Sequence, residues 1–491
     1  MTAAHDHDVV IVGAGLGGLA CGVAAAKAGL SVLVLEAHDR VGGYASNFTR
    51  GPYRFEASLH LLDGVEPGGS NAVVWDALGL RERVPVVRPP LLRREIWPEH
   101  RFDVPQGREP WLALMARAFP HVADGFVALF DLAEAVHGAW LEDRDARIAG
   151  GTLSHLPGAM LPLLDRTARD VVVEQIGDDR AVAVATALAC YLGLGPDELA
   201  AVPFLSMFAS YHRHGGTFPV GGGQAVSDGL ADALRAAGGE IRTHAPVVAI
   251  HTERGTVRGV TVGGNNGGRI DAEHVVCNVS PIRVYGELLD DARMAARFRR
   301  RLASLPLGTS VVKLWLGLTH DLADRSLAYE LFVRGHYEHT FRAASLDDIG
   351  AVLPHRVDPG CCPEGHGILS MSIGVEADPA QTPREAGEAL ADAMIERVEA
   401  TVPGLEGLRD CIAVRSVAVP STFHAFTGNP GGTIHGFRPV PRQSGPRRFP
   451  LRAPLNGLFH VGGWTYGGSG YLPSMTSGLV VGRTIAAGVH A

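Results

Sequence analysis

Residues 7–36 constrain this chain more than any other stretch. His7-Asp8-Val9-Val10-Ile11-Val12 reads as a short apolar strand and runs straight into Gly13-Ala14-Gly15-Leu16-Gly17-Gly18. An Ala-rich helical stretch over 19–28 follows, Gly29 ends it, and 31–35 is a second apolar strand closed by Glu36. A strand, a G-x-G-x-x-G turn, a helix and a strand ending in an acid form the dinucleotide fingerprint. Gly13 permits the tight turn, Gly15 lets backbone approach a pyrophosphate, and Gly18 lets helix pack on strand. The helix N-terminus offers free N–H groups and partial positive charge to phosphates. Glu36 can accept from ribose hydroxyls. The competing reading, a merely structural glycine turn, explains the motif but not its strand, helix and acid.

The bulk composition narrows the class. A length of 491 residues implies two to four domains. With 46% hydrophobic and 20% charged residues, the chain can bury a large core. A net charge of -8 without a dominant basic stripe argues against a nucleic-acid partner. Six cysteines without C-x-x-C spacing predict reduced thiols and a cytoplasmic location. The first residues carry no basic leader, and no apolar run reaches the ~18 residues of a spanning helix. Peripheral membrane contact stays open. Lysine occurs only at Lys27 and Lys313.

Past Glu36 comes Arg40-Val41-Gly42-Gly43, where a glycine doublet suits a second backbone approach to a diphosphate. Here the chain resembles the FAD-dependent amine oxidase and phytoene desaturase superfamily, in which an R-x-G-G stretch follows the ribose acid. The resemblance implies FAD rather than NAD and assigns Arg40, Gly42 and Gly43 to the cofactor. Phe55-Glu56-Ala57-Ser58 stands where relatives carry F-D-x-G. His60 matches a histidine of the carotenoid isomerase and retinol saturase branch. Glu56 and His60 are therefore candidate catalytic residues; a hydrogen-bonded core histidine is the plain alternative for His60.

Pro219-Val220-Gly221-Gly222, a helix over 224–237, a Gly-Gly turn and a strand over 241–250 resemble a second family signature, which places Val247 against the adenine. Strands over 257–262 and 269–277 follow, joined by a loose turn at 263–268. Gly462-Gly463, a glycine-rich loop and a helix over 472–487 resemble the closing signature. That likeness assigns Gly462, Gly463, Tyr471 and Leu472 to the cofactor, with the helix N-terminus stabilising reduced flavin. Lys313 lies in a strand over 307–318, where amine-oxidase relatives hold a water at flavin N5. The alternative is an edge-strand lysine reaching solvent. No metal site is indicated.

These signatures imply an α/β fold: a Rossmann-like FAD-binding domain over 1–69, 216–280 and 455–491. A mixed α+β substrate domain is inserted over 70–215 and 281–454. Its first part reads as mainly helical, from apolar periodicity over 71–79, 111–140 and 179–192. Large apolar residues over 202–211 suit either a tunnel for a long apolar substrate or core. The Arg-rich helix 292–302 reads as a solvated face, with anionic lipid as the sharper alternative. Residues 439–454 read as a surface connector.

The expected activity is FAD-dependent hydride transfer at N5 to or from C–C/C=C bonds of an apolar polyene or isoprenoid-like substrate: desaturation, saturation, isomerisation or reductive cyclisation. A flavin amine or amino-acid oxidase is the alternative, with Trp464, Tyr466 and Tyr471 as candidate amine-sandwiching rings. A flavin-bound assembly protein is the non-enzymatic one. A quinone, oxygen or a reductase would exchange the electrons.

Overall fold

The computed structural model describes residues 5–150, 158–264, 267–321, 327–337 and 342–489. Two large sheets organise it. In the first, the strands Glu240–Arg242, Val32–Leu35, His7–Val12 and Gly268–Cys277 lie side by side in parallel, and Leu458–His460 pairs parallel with the end of Gly268–Cys277. The first half of Gly268–Cys277 instead pairs antiparallel with Thr256–Val262, which carries Val247–Glu253 on its far side. The sheet thus draws strands from the start, middle and end of the chain.

Helix Leu16–Lys27 covers this sheet and is itself covered by the C-terminal helix Tyr471–Val489. Small residues make that approach possible. A Cβ at Gly478 would overlap the carbonyl oxygen of Gly17, and one at Gly482 would stand 2.6 Å from the carbonyl oxygen of Cys21. The two glycines are four residues apart and share a face. Gly18 packs likewise on the carbonyl of Gly13.

The second sheet runs Ile412–Ala418, Ser310–Leu318, Gly367–Val375, Asp348–Val352, Glu330–Arg334, Arg93–Ile96, Arg101–Val104. Strand alternation divides its faces. Val312, Leu314 and Leu316 pack on Met394, Ile395 and Val398 of helix Arg384–Thr401. Val311 and Lys313 turn the other way, into a cavity.

Several boundaries differ from the sequence reading. The region 70–215 is less purely helical than expected: Arg93–Ile96 and Arg101–Val104 extend a sheet whose other strands all lie between residues 310 and 418. Nothing local marks that long-range pairing. The strand over 241–250 is two strands, because His244 has φ 52° and Pro246 lacks an N–H. Helix 111–140 breaks at Phe119-Pro120 into Arg108–Ala118 and Ala123–Ile148. Helix 179–192 is α-helical only over Asp179–Ala185 and tightens to a 3₁₀ helix over Ala187–Leu192. Residues 265–266 of the 263–268 turn lie outside the described residues.

In helix Ala292–Leu302 the five arginines point outward while Ala295, Phe298 and Leu302 are buried. Among the described residues no single helix is long and apolar enough to cross a membrane.

Candidate active site

A cavity of about 870 Å³ runs from the first sheet to the second, near the upper end of the usual range for ligand sites. One limb is a groove lined by Gly13, Gly15, Glu36, Gly42, Gly43, Val247, Gly462 and Gly463. Glu36 is buried, and both its oxygens are engaged: Oε2 accepts the N–H of Ala14 at 2.7 Å and Oε1 that of His38 at 3.0 Å. The carboxylate therefore first fixes the glycine turn, leaving its remaining lone pairs for a ligand. Gly42 donates to the carbonyl of Ala14, tying the second glycine pair to the first. Asn278, which sequence reasoning left unassigned, donates Nδ2 to Gly13 O at 3.3 Å and sits where a Cβ of Gly15 would be, 2.7 Å away. Its position directly after strand Gly268–Cys277 was the available signal.

Two residues expected in the groove lie outside it. Arg40 is exposed, beside Asp39, and donates to the carbonyl of Asn47 at 3.2 Å. Gly18 lies behind the turn, against Gly13. The groove nonetheless fits a dinucleotide diphosphate. The first-turn N–H groups of helix Leu16–Lys27 have no intrahelical acceptor, and glycines from three separate turns line the walls. Tyr471 and Leu472 begin the C-terminal helix and line the same cavity.

The other limb is a chamber whose floor is the second sheet. Cross-strand register places Lys313, Ser372, Gly350 and Phe332 in one row. Val311 and Gly374 form a pair in the next. Ser372, Gly350 and Gly374 leave the middle of the floor low and flat. Helix Ala201–His214 forms part of the wall and divides by face: Val202, Pro203, Met207 and Tyr211 line the cavity, while Phe204, Leu205 and Phe208 are core. The wall is not apolar throughout. Asp63, His137, Arg144 and Ser210 also face the cavity, and Ser210 donates to Asp63.

Lys313 is not at an edge. Its strand lies between Gly367–Val375 and Ile412–Ala418, and the side chain is 5% exposed. Nζ lies 5.5 Å from the Trp315 ring and has no hydrogen-bond acceptor among the described residues. Burial pushes its ammonium down to about 8, against a partial pull upward from Glu56.

Glu56 is buried and does not line the cavity. Its carboxylate accepts N–H groups from Gly223 at 2.6 Å, Leu59 at 3.0 Å and Ser58 at 3.1 Å. It thus caps helix Gly222–Ala236 and turns the chain at the end of strand Tyr53–Glu56. Burial pushes its carboxyl up while these donors and Lys313 draw it back.

His60 does line the chamber, and its Nδ1 lies 2.6 Å from Oε1 of Glu330. Glu330 is fully buried and also accepts the Tyr191 hydroxyl at 2.5 Å. Neither partner was legible in sequence: both lie far along the chain from any glycine signature.

The 439–454 connector is not wholly superficial. Arg448 is part-buried at the cavity wall and donates to the carbonyls of Thr465 at 2.8 Å and Gly463 at 2.9 Å. Burial lowers its guanidinium to about 10. Of the three candidate sandwich rings, Trp464 packs edge-on against Phe437, Tyr466 stacks on Trp140, and the Tyr471 hydroxyl lies 3.3 Å from that of Ser58. Among the described residues the three make no ring contact with one another.

The profile of the flavin containing amine oxidoreductase family matches residues 16–479. The chain belongs to that family. It is an FAD-dependent oxidoreductase with the mixed α/β, Rossmann-type fold of its relatives. It is 23% identical to prolycopene isomerase 2 of an Oncidium hybrid cultivar over 99% of this chain and 84% of that protein. It is 24% identical to 4,4'-diapolycopene oxygenase of Methylomonas sp over 99% of each chain. The structure is similar to an oxidoreductase from Methanosarcina mazei, with a TM-score of 0.66 and 19% identity over 96% of this chain and 98% of that one.

Proposed function

We propose that this flavoenzyme changes the C–C/C=C bonds of an apolar polyene or isoprenoid-like substrate by desaturation, saturation, isomerisation or reductive cyclisation. The observation that carries the reading is the chamber floor. Between Lys313 and Phe332 the sheet offers only Ser372 and Gly350, a low surface suited to a flat conjugated chain. The names of the polyene-processing relatives support the same substrate class.

Segments 1–69, 216–280 and 455–491 form the cofactor-binding unit in this reading. Bound FAD supplies hydride chemistry at N5. The chain's own residues do the rest. Glu36 and the glycine turn hold the adenosine and diphosphate half, with Val247 beside the adenine. Arg448 braces the loop ahead of helix Tyr471–Val489. Lys313, with no acceptor among the described residues, presents its ammonium to the chamber, where it can hold a water. A quinone, oxygen or a reductase takes or supplies the electrons, and the exposed arginines of helix Ala292–Leu302 suit contact with anionic membranes that store apolar substrates.

The amine-oxidase alternative requires an aromatic sandwich, and Trp464, Tyr466 and Tyr471 each engage a different neighbour: Phe437, Trp140 and Ser58. Co-expression with polyene-producing pathways tests the proposal: a polyene shifted by two hydrogens, or isomerised, supports it. Rapid anaerobic bleaching of the bound flavin by simple amines, with polyenes unchanged, would reverse it.

A further inference from the structure

Adding or removing two hydrogens across a carbon–carbon bond moves a hydride and a proton, and the flavin accounts only for the hydride. The chamber contains a group built for the other half. Glu330 is 0% exposed. Burying a carboxylate costs several kcal/mol unless it is compensated. Among the described residues no Lys or Arg pairs with it; nearby Arg93 is spent on Glu95, and Arg334 on Asp348. Its partners are His60 Nδ1 at 2.6 Å and the Tyr191 hydroxyl at 2.5 Å.

A carboxylate on Nδ1 fixes the histidine tautomer and leaves Nε2 as the working nitrogen. Nε2 of His60 has no hydrogen-bond partner among the described residues, and a quarter of the side chain is open to the cavity. The ring is held from several sides. The Tyr329 hydroxyl donates to the His60 carbonyl at 2.7 Å, and the Tyr191 ring lies 5.4 Å away. Cε1 stands 3.9 Å from where a Cβ of Gly350 would be, so the imidazole edge overlooks the low part of the floor.

We propose that His60 is the proton-transferring residue of the chamber, with Glu330 and Tyr191 as its positioning residues. The inference rests on the reading of the site as one for carbon–carbon bonds. In the saturating direction the Nε2–H bond breaks and leaves its electron pair on nitrogen. The π electrons of the C=C form a C–H bond with that proton, and the neighbouring carbon receives the hydride of reduced flavin. In the desaturating direction Nε2 would remove the proton, and FAD held in the groove would supply the hydride acceptor. Charge balances in both, because the imidazolium formed or consumed faces the Glu330 carboxylate.

Two measurements on FAD-loaded protein test this. In protein labelled with ¹⁵N-histidine, NMR should show one imidazole with a protonated Nδ1 and a far-downfield bridging proton, lost in both Glu330→Gln and His60→Gln. In turnover of a polyene, His60→Gln should lower kcat about 100-fold or more with FAD content and substrate Kd unchanged. Glu330→Gln should also lower kcat, and Glu330→Asp should recover part of the loss. An unprotonated Nδ1, or a His60→Gln enzyme within threefold of wild-type kcat, overturns the proposal alone. A wild-type protein that shows the bridged imidazole but converts no polyene overturns the functional reading, and with it carbon as the proton's destination.

Discussion

Replacing Lys313 with Met should stabilise the flavin-free protein and cripple the enzyme. The ammonium is buried, has no acceptor among the described residues, and is held down to about 8 from the usual 10.5. A displacement of that size means that keeping the charge in the fold costs about 3 kcal/mol. Met is similar in length and needs no hydration, so at pH 7 Lys313→Met should gain about 2–3 kcal/mol. The pH dependence has a definite sign. Below about pH 8 lysine is charged in both folded and unfolded chains, and the penalty is fully present. Between about 8 and 10.5 the folded protein releases the proton while the unfolded chain keeps it, so wild-type stability rises with pH. The advantage of Met should therefore shrink across that window. Paired urea unfolding of both flavin-free proteins from pH 7 to 10 measures it, and other titrations cancel in the difference. Flavin turnover should fall at least tenfold in the same variant. Destabilisation by Met at pH 7, or an advantage that does not change with pH, would refute the account of Lys313 as an unpaired buried charge.

Other perturbations separate the two limbs. Glu36→Gln puts an amide donor against one of the N–H groups of Ala14 and His38, and should weaken FAD binding at least tenfold by fluorescence quenching, consistent with ~1.5–3 kcal/mol for a hydrogen bond to a charged group. Gly350→Val should leave FAD affinity unchanged. Its Cβ has ordinary contacts, but its methyl groups rise into the chamber, so substrate KM should increase several-fold. Gly478→Val would drive the two helices apart and should cost about 3 kcal/mol or more, seen as a lower Tm and loss of bound flavin. Arg448→Met should leave the fold intact but make reduced flavin harder to form, lowering the midpoint potential measured by anaerobic dye titration.

The cofactor half was legible because its constraints are local. A glycine turn, an acid about 20 residues on, and a closing glycine loop each lie within a short window, and backbone close to a ligand admits few residue types. Gly478 and Gly482 could be seen on one face, though not that they receive the first helix. The chamber was far less legible. His60 was marked by its motif, but Glu330 and Tyr191 come from separate segments and meet only through strand pairing. Arg93–Ile96 joins a strand more than 230 residues away, and Arg448 sits in a proline-rich stretch that reads as surface. Arg40 shows the reverse failure: the motif was present, yet the side chain turns outward to Asn47.

The central claim is that a flavin bound in the groove exchanges hydride with a conjugated chain lying on the Lys313–Phe332 floor. Anaerobic mixing of the FAD-loaded protein with polyenes, followed at once by flavin absorbance and by mass spectrometry of the polyene, tests it most directly. Bleaching or recovery of the flavin band matched by a two-hydrogen change in the polyene, or isomerisation that requires reduced flavin, is the predicted result. A flavin band that ignores every polyene but bleaches with simple amines would contradict it.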